Sequence, residues 1–421
     1  MTPRGVGILA GAILGVAVGR LLGVAELYVA GAAAGVLVVA ALIAARSASA
    51  NVVARRSLSS KRLLVGGSAS VALELRNASR LPATLLLVED RRHPSLGTAP
   101  RYVVPGLRPG QTQTLPYLLT GTVRGRYAVG PVTIRVRDPF GLAERLRRDT
   151  ATDDVLVYPP IEALPRAAGS GMDRGAGSSN RRRLYAEGDE FYTMREYVQG
   201  DDLRQVHWPS TAHRQKLMVR QQELAWQTQA TLLCDTRAVA HRGMGPDSTL
   251  ERAIGATASV LWHLADQGYS LRLATDESAQ APPVEPWGRL LDRLAELRPG
   301  RASMLAPALE RLRGSGEGLL VAVLAPPPGE EDLGASAEVR ALLRAGRAYT
   351  GRIALVVVDR GRRLTFARGL ALARVLSVSG WRAAPLGVDE PLADVWRALA
   401  ARRSAASARR AAASSGRGGA G

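Results

Sequence analysis

Hydrophobic positions along this chain follow three successive rhythms. From Gly5 to Val24, and again from Leu27 to Ala45, nearly every residue is apolar or small, and Arg20 is the only charge in either run. As a helix the second run reaches about 28 Å, enough to cross a bilayer core. The pattern predicts a transmembrane α-hairpin in residues 1–50, with helices over about 5–24 and 27–45 and a tight turn at Ala25-Glu26. A cleaved signal peptide fits poorly, because a second apolar run follows almost at once and no small-x-small cleavage site lies between them.

Residues 51–160 switch to short alternating runs: Ser70–Leu75, Thr84–Glu89, Thr114–Leu119 and Val132–Val136. Turn signals at Gly66-Gly67, Asn77, Pro105-Gly106, Pro109-Gly110 and Gly130-Pro131 separate them. Short strands at this spacing predict an antiparallel β-sandwich. A linker over 161–180 follows, its Ala167–Asn180 part rich in Gly, Ser and Ala.

From 181 to 402 near-continuous apolar strands alternate with amphipathic helices. Strands are expected at Ala230–Asp235, Tyr269–Thr275, Gly318–Ala325, Arg352–Asp359 and Arg382–Leu386. Helices are expected after the capping box Ser248-Thr249-Leu250-Glu251 as far as Gly268, and at about 286–297, 304–313, 337–345, 366–377 and 391–402. This is the signature of an α/β domain with a mostly parallel sheet covered on both faces. The Ala/Ser/Gly/Arg tail, 403–421, cannot bury a core and is expected to be disordered.

Charge adds direction to this layout. The formal net charge is +19, almost all from arginine, since Lys61 and Lys216 are the only lysines. Arg4 flanks the hairpin on one side, and Arg46, Arg55, Arg56, Lys61 and Arg62 flank it on the other. Positive flanks favour the cytoplasm, so both termini are expected there, with the chain in the cell membrane. The arginines are scattered and no zinc-finger or RNA-recognition spacing accompanies them, which argues against nucleic acid as the partner. The single cysteine, Cys234, sits in an apolar run and reads as a core residue.

Little of the chain spells out catalysis. No Gly-x-Ser-x-Gly elbow and no phosphate-binding loop occur, and His207 and His213 are separated by Pro209 and share no helix face. Three expected strands end at aspartates, Asp235, Asp276 and Asp359, near where parallel sheets bind ligands. Together they would be the carboxylates of a Mg²⁺-dependent hydrolase. Yet Arg237 lies two residues from Asp235, where a guanidinium repels a cation or replaces it by an ion pair. No cofactor is therefore expected, with Mg²⁺ the one candidate.

The densest chemistry lies between the linker and the first α/β strand: Gly188, Glu190, Arg195-Glu196-Tyr197, Gly200-Asp201-Asp202, Arg204 and His207-Trp208. This ordered series resembles the signature of the domain of unknown function 58 family, bacterial proteins whose C-terminal half is von Willebrand factor A-like. Two positions depart from the family pattern. His213 stands where arginine is usual, and Arg237 and Val239 replace the two serines of the metal-binding Asp-x-Ser-x-Ser motif. The resemblance implies an immunoglobulin-like character for the sandwich, with Arg124–Tyr127 and Asp138–Leu142 matching that module. It also implies a non-enzymatic protein-binding role beside a MoxR-type AAA+ ATPase, in envelope or complex maturation. The charged residues of the signature then serve as an ion-paired brace, as a docking face, or as both.

Overall fold

The computed structural model describes residues 1–50, 52–80, 82–83, 85–138, 140–166, 192–196, 218–222, 229–314, 316, 318–329, 333–334 and 336–401. By internal contacts the chain divides into Met1–Ile161 with Leu291–Arg298, and Glu162–Leu290 with Pro299–Gly421.

In the first unit, helices α1 (Pro3–Leu22) and α2 (Ala25–Ala50) form the hairpin. Both are long and apolar enough to cross a membrane, α2 over Ala25–Arg46. The turn falls at Gly23-Val24 and not at Ala25-Glu26. Gly23 adopts φ 68°, a left-handed conformation open to glycine, and the Val24 amide closes back on the Gly19 carbonyl at 2.9 Å. The helices approach at Gly19 and Gly31, where an added Cβ would lie 2.6 Å from the Tyr28 nitrogen and 2.8 Å from the Ala12 oxygen.

The sandwich comprises β1 (Val52–Leu58), β2 (Arg62–Leu64), β3 (Ser68–Asn77), β4 (Leu85–Arg92), β5 (Arg101–Val104), β6 (Thr112–Thr120), β7 (Gly125–Arg137), β8 (Glu144–Arg148) and β9 (Asp153–Tyr158). One sheet runs β1-β3-β6 and the other β2-β9-β7-β4-β5, with β8 paired to β7. Pairing is antiparallel except between β2 and β9, which run parallel, a departure from the expected antiparallel architecture. Strict alternation in β3 turns Val71, Leu73 and Leu75 inward, where Leu73 and Leu75 share a core with Leu86, Val88, Ile134 and Val136 of the other sheet, and Val71 shares one with Val129, Val155 and Val157. Arg56, expected to flank the membrane, instead lies inside this sandwich. Its guanidinium binds Asp90 at 2.6 and 2.9 Å and Asp153 at 3.1 Å, and the Tyr117 hydroxyl donates to Asp90 at 2.6 Å. Burial and the neighbouring carboxylate hold the Tyr117 pKa well above the usual range, so the phenol stays protonated and keeps donating.

In the second unit, β10 (Tyr192–Glu196) and β11 (Met218–Gln222) form an antiparallel ribbon. A five-stranded sheet follows from β12 (Gln229–Cys234), β13 (Ser270–Thr275), β14 (Leu319–Leu324), β15 (Gly351–Val358) and β16 (Arg382–Gly387), in the order β13-β12-β14-β15-β16. All four pairings are parallel. The helices along this stretch of chain are α3 (Thr249–Asp266), α4 (Trp287–Glu296), which from Leu291 onward belongs to the first unit, α5 (Ala306–Arg313), α6 (Ala337–Gly346), α7 (Arg363–Val378) and α8 (392–401). Alternate residues Leu320, Ala322 and Leu324 of β14, with Ala354, Val356 and Val358 of β15, pack against Leu309, Leu342 and Leu376 of α5, α6 and α7. Val321, Val323, Leu355 and Val357, which point the other way, are equally buried, so both faces of the sheet are covered. The Ser248 hydroxyl caps α3 by accepting from the Glu251 amide at 3.2 Å, and Gly268 at φ 81° follows the helix end. Residues 162–166, expected as the start of the linker, are tied into this unit: Glu162 binds Arg252 and accepts the Leu392 amide at 2.7 Å.

Candidate functional site

Of the signature, Arg195 and Glu196 stand on β10, in register with Val219 and Met218. Gly188, Glu190, Tyr197, Gly200, Asp201, Asp202, Arg204, His207 and Trp208 lie outside the described residues.

The described chemistry gathers at the carboxyl end of the parallel sheet. The first strand, β12, has β13 on one side and β14 on the other, so connections diverge there and open a crevice in which such sheets carry ligands. Asp235 is the residue after β12 and is fully buried. Its Oδ1 accepts from Nε of Arg237 at 2.8 Å and its Oδ2 from Nη2 at 2.9 Å, a two-pronged ion pair. The third guanidinium nitrogen, Nη1, donates to Oε1 of Glu338 at 2.6 Å, and that oxygen also accepts the Leu305 amide at 3.2 Å. Burial works to lower the Arg237 pKa, but hydrogen bonds and charges from Asp235 and Glu338 outweigh it and raise the value above that of free arginine. The guanidinium is therefore a permanent internal cation at the position a divalent ion would need.

Around this pair the backbone is held rigidly. The Asp235 amide donates to the Val323 carbonyl at 2.9 Å, and Oδ2 accepts the Ala325 amide at 3.3 Å. His241 Nε2 lies 2.8 Å from the Asp235 carbonyl oxygen, which only accepts, so Nε2 carries the proton. Burial lowers the His241 pKa in spite of nearby Asp235, leaving the ring neutral. Asp276, the residue after β13, accepts from the Thr236 amide at 2.8 Å and from the Thr236 hydroxyl through the same Oδ1. Its buried Oδ2 has no hydrogen-bond partner among the described residues. Gly300 makes this fit possible, since a Cβ there would lie 2.3 Å from that oxygen.

Asp235 and Asp276 thus flank Thr236, whereas Asp359 lines a separate crevice of about 460 Å³ with Arg242, Arg368, Leu364 and Pro326–Pro328. Asp359 accepts the Gly361 amide at 2.9 Å and lies 3.5 Å from Arg362. Among the described residues no group of three or more His, Cys, Asp or Glu is arranged to hold a metal. The three-carboxylate site drawn from the sequence does not assemble. Glu338, His241 and Thr236 were missed as partners. Only the Asp-x-Arg spacing hinted at the pair, and Glu338 lies 101 residues from Arg237.

Residues 193–360 match the family model described as protein of unknown function DUF58. The matched stretch is less than half of the chain. It runs from β10 to just past β15 and includes Asp235, Arg237, Asp276, Glu338 and Asp359. A curated relative, the uncharacterized protein YeaD of Bacillus subtilis, is 23% identical over 229 residues, which make up 53% of this chain and 55% of that protein. The alignment thus spans little more than half of that relative. Among solved structures, the CARDB domain of the PF1109 protein from Pyrococcus furiosus, crystallised with two metal ions, aligns at 19% identity and a TM-score of 0.20, over 25% of this chain and 87% of that one. A β-glucosidase from Listeria innocua aligns at 17% identity and a TM-score of 0.17, over 25% of this chain and 16% of that one. Likeness at these scores carries no functional argument.

Proposed function

We propose that this chain is a membrane-anchored interaction protein whose DUF58 region, von Willebrand factor A-like in character, binds a partner without catalysing a reaction. The hairpin holds the chain in the cell membrane with both termini in the cytoplasm. The signature from Gly188 to Trp208 supplies the docking face, and a MoxR-type AAA+ ATPase is the partner the family resemblance favours. One observation carries the reading: at the sheet's divergence point the Asp235 carboxylate is filled by Arg237 and backed by Glu338. A site closed by an internal cation supports a rigid recognition scaffold better than metal-assisted hydrolysis, because both oxygens a metal would take are engaged.

The test is co-purification of the ATPase with the detergent-solubilised chain and with Asp201→Asn/Asp202→Asn, after circular dichroism confirms folding. Complementary charge sets recognition more than fold, so the folded variant should lose the partner. Retention at wild-type levels by a folded variant would remove these aspartates from the docking face, and no co-purification with wild type would remove the ATPase.

A further inference from the structure

The foot of the hairpin and the edge of the sandwich together build a surface that belongs to neither alone. The N-terminus of α1 and the C-terminal part of α2 meet the same loop, the one joining β7 to β8. The Thr2 hydroxyl donates to the Gly141 carbonyl at 2.6 Å while accepting the Gly5 amide at 3.1 Å. Leu142 and Ala143 are buried against Val38, Ala41 and Ala45 of α2. Asp138 fixes the loop from within: Oδ1 accepts the Phe140 amide at 2.8 Å, Oδ2 accepts the Ala143 amide, and the Asp138 amide donates to the Ala143 carbonyl at 3.1 Å. Phe140 is left 62% exposed at the loop tip. Val38 lies eight residues before Arg46, so the loop packs about 12 Å along the apolar span. If that span crosses a bilayer, this loop and Phe140 sit at the lipid boundary.

Beside the loop is a crevice of about 360 Å³ whose walls differ in kind. Leu42 and Ile43, both exposed, form one wall within the span that ends at Arg46. Arg46 and Arg145 also line it, with Ala45, Ala143 and Glu144. Glu144 pairs with Arg137 at 2.8 Å and with Arg135 at 3.7 Å. A free phosphate would use only the two arginines and leave the apolar wall wet, and an acidic peptide would have to enter the span itself. An anionic lipid satisfies both walls.

We propose that this crevice binds an anionic phospholipid, its headgroup phosphate between Arg46 and Arg145 and an acyl chain along Leu42 and Ile43, with Phe140 immersed beside it. This rests on the reading that the hairpin crosses the membrane, and deepens it by naming the lipid the anchor selects. The experiment uses the full chain reconstituted in bilayers of phosphatidylcholine with a minority of phosphatidylglycerol, then stripped of loose lipid and weighed by native mass spectrometry. Wild type should retain phosphatidylglycerol over phosphatidylcholine by roughly tenfold or more, and Arg46→Gln/Arg145→Gln should lose that preference. Arg148→Gln, a change on β8 outside the crevice, should keep it, and millimolar inorganic phosphate should not displace the lipid. Equal retention of the two lipids, equal loss in Arg148→Gln, or displacement by inorganic phosphate would each overturn the lipid site. Carbonate washing of native membranes separates the two levels: release of wild-type chain sinks the anchor and this proposal with it, whereas a resistant chain without lipid preference sinks only the proposal.

Discussion

Replacing Arg237 by Met removes the cation of a triad that has almost no access to water. Asp235 is fully buried and its two oxygens lose both prongs of the pair, while the 15% exposed side chain of Glu338 retains a path to solvent and its bond to the Leu305 amide. Orphaning one buried charge costs about 3–5 kcal/mol, and here the cost falls on Asp235. Adding Asp235→Asn tests that assignment. The asparagine oxygen can accept only one of the two backbone amides that the carboxylate serves, that of residue 237 or that of Ala325, but no buried charge remains at that position, so the double variant should recover about 2 kcal/mol relative to Arg237→Met alone. Unfolding of the detergent-solubilised chain in urea, followed by tryptophan fluorescence, is the assay. All six tryptophans lie between Trp208 and Trp396, so the signal reports on the C-terminal half. A loss under about 1 kcal/mol for Arg237→Met, or a double variant less stable than the single one, would refute the account of Asp235 as a buried charge balanced by its guanidinium.

Two further outcomes follow from the same unit. Burial lowers the pKa of both His241 and His263 below the ordinary 6.5, outweighing acidic neighbours. The unfolded chain then takes up protons on acidification that the folded chain does not, so stability is full above pH 6.5 and falls as pH drops through it; a curve flat from neutral to about pH 5, or one unchanged in His241→Asn/His263→Asn, would contradict this. Millimolar Mg²⁺ should leave the unfolding midpoint of wild type unmoved, because Arg237 engages both Asp235 oxygens, and a saturable shift that vanishes in Asp235→Ala would show the opposite.

Much of the architecture was legible because burial on one face or on two writes distinct periodicities. The alternation of β3 and the unbroken apolar runs of β14 and β15 each stated which kind of sheet they belong to. Strand β1 was hidden by Arg55-Arg56, which resembles a membrane flank until Asp90, 34 residues away, is folded against Arg56. The parallel pairing of β2 with β9 was hidden for the same reason, since register between distant short strands leaves no local trace. At the sheet's carboxyl end the aspartates were visible as strand-terminal residues and Arg237 as a conflicting charge. Their grouping was not, because Asp276 and Glu338 arrive on separate elements and the partner of each is set by packing.

The cap on α1 has a temporal side. The carbonyls that hold the Thr2 hydroxyl belong to Gly141 and Leu142, some 140 positions later in the chain. At synthesis rates of about 5–20 residues per second those carbonyls appear roughly 7–28 s after Thr2. A hairpin that entered a bilayer as it was made would do so with Thr2 unlatched, and the sandwich would close the latch on completion. An affinity tag fused ahead of Met1 would have to be accommodated at that latch.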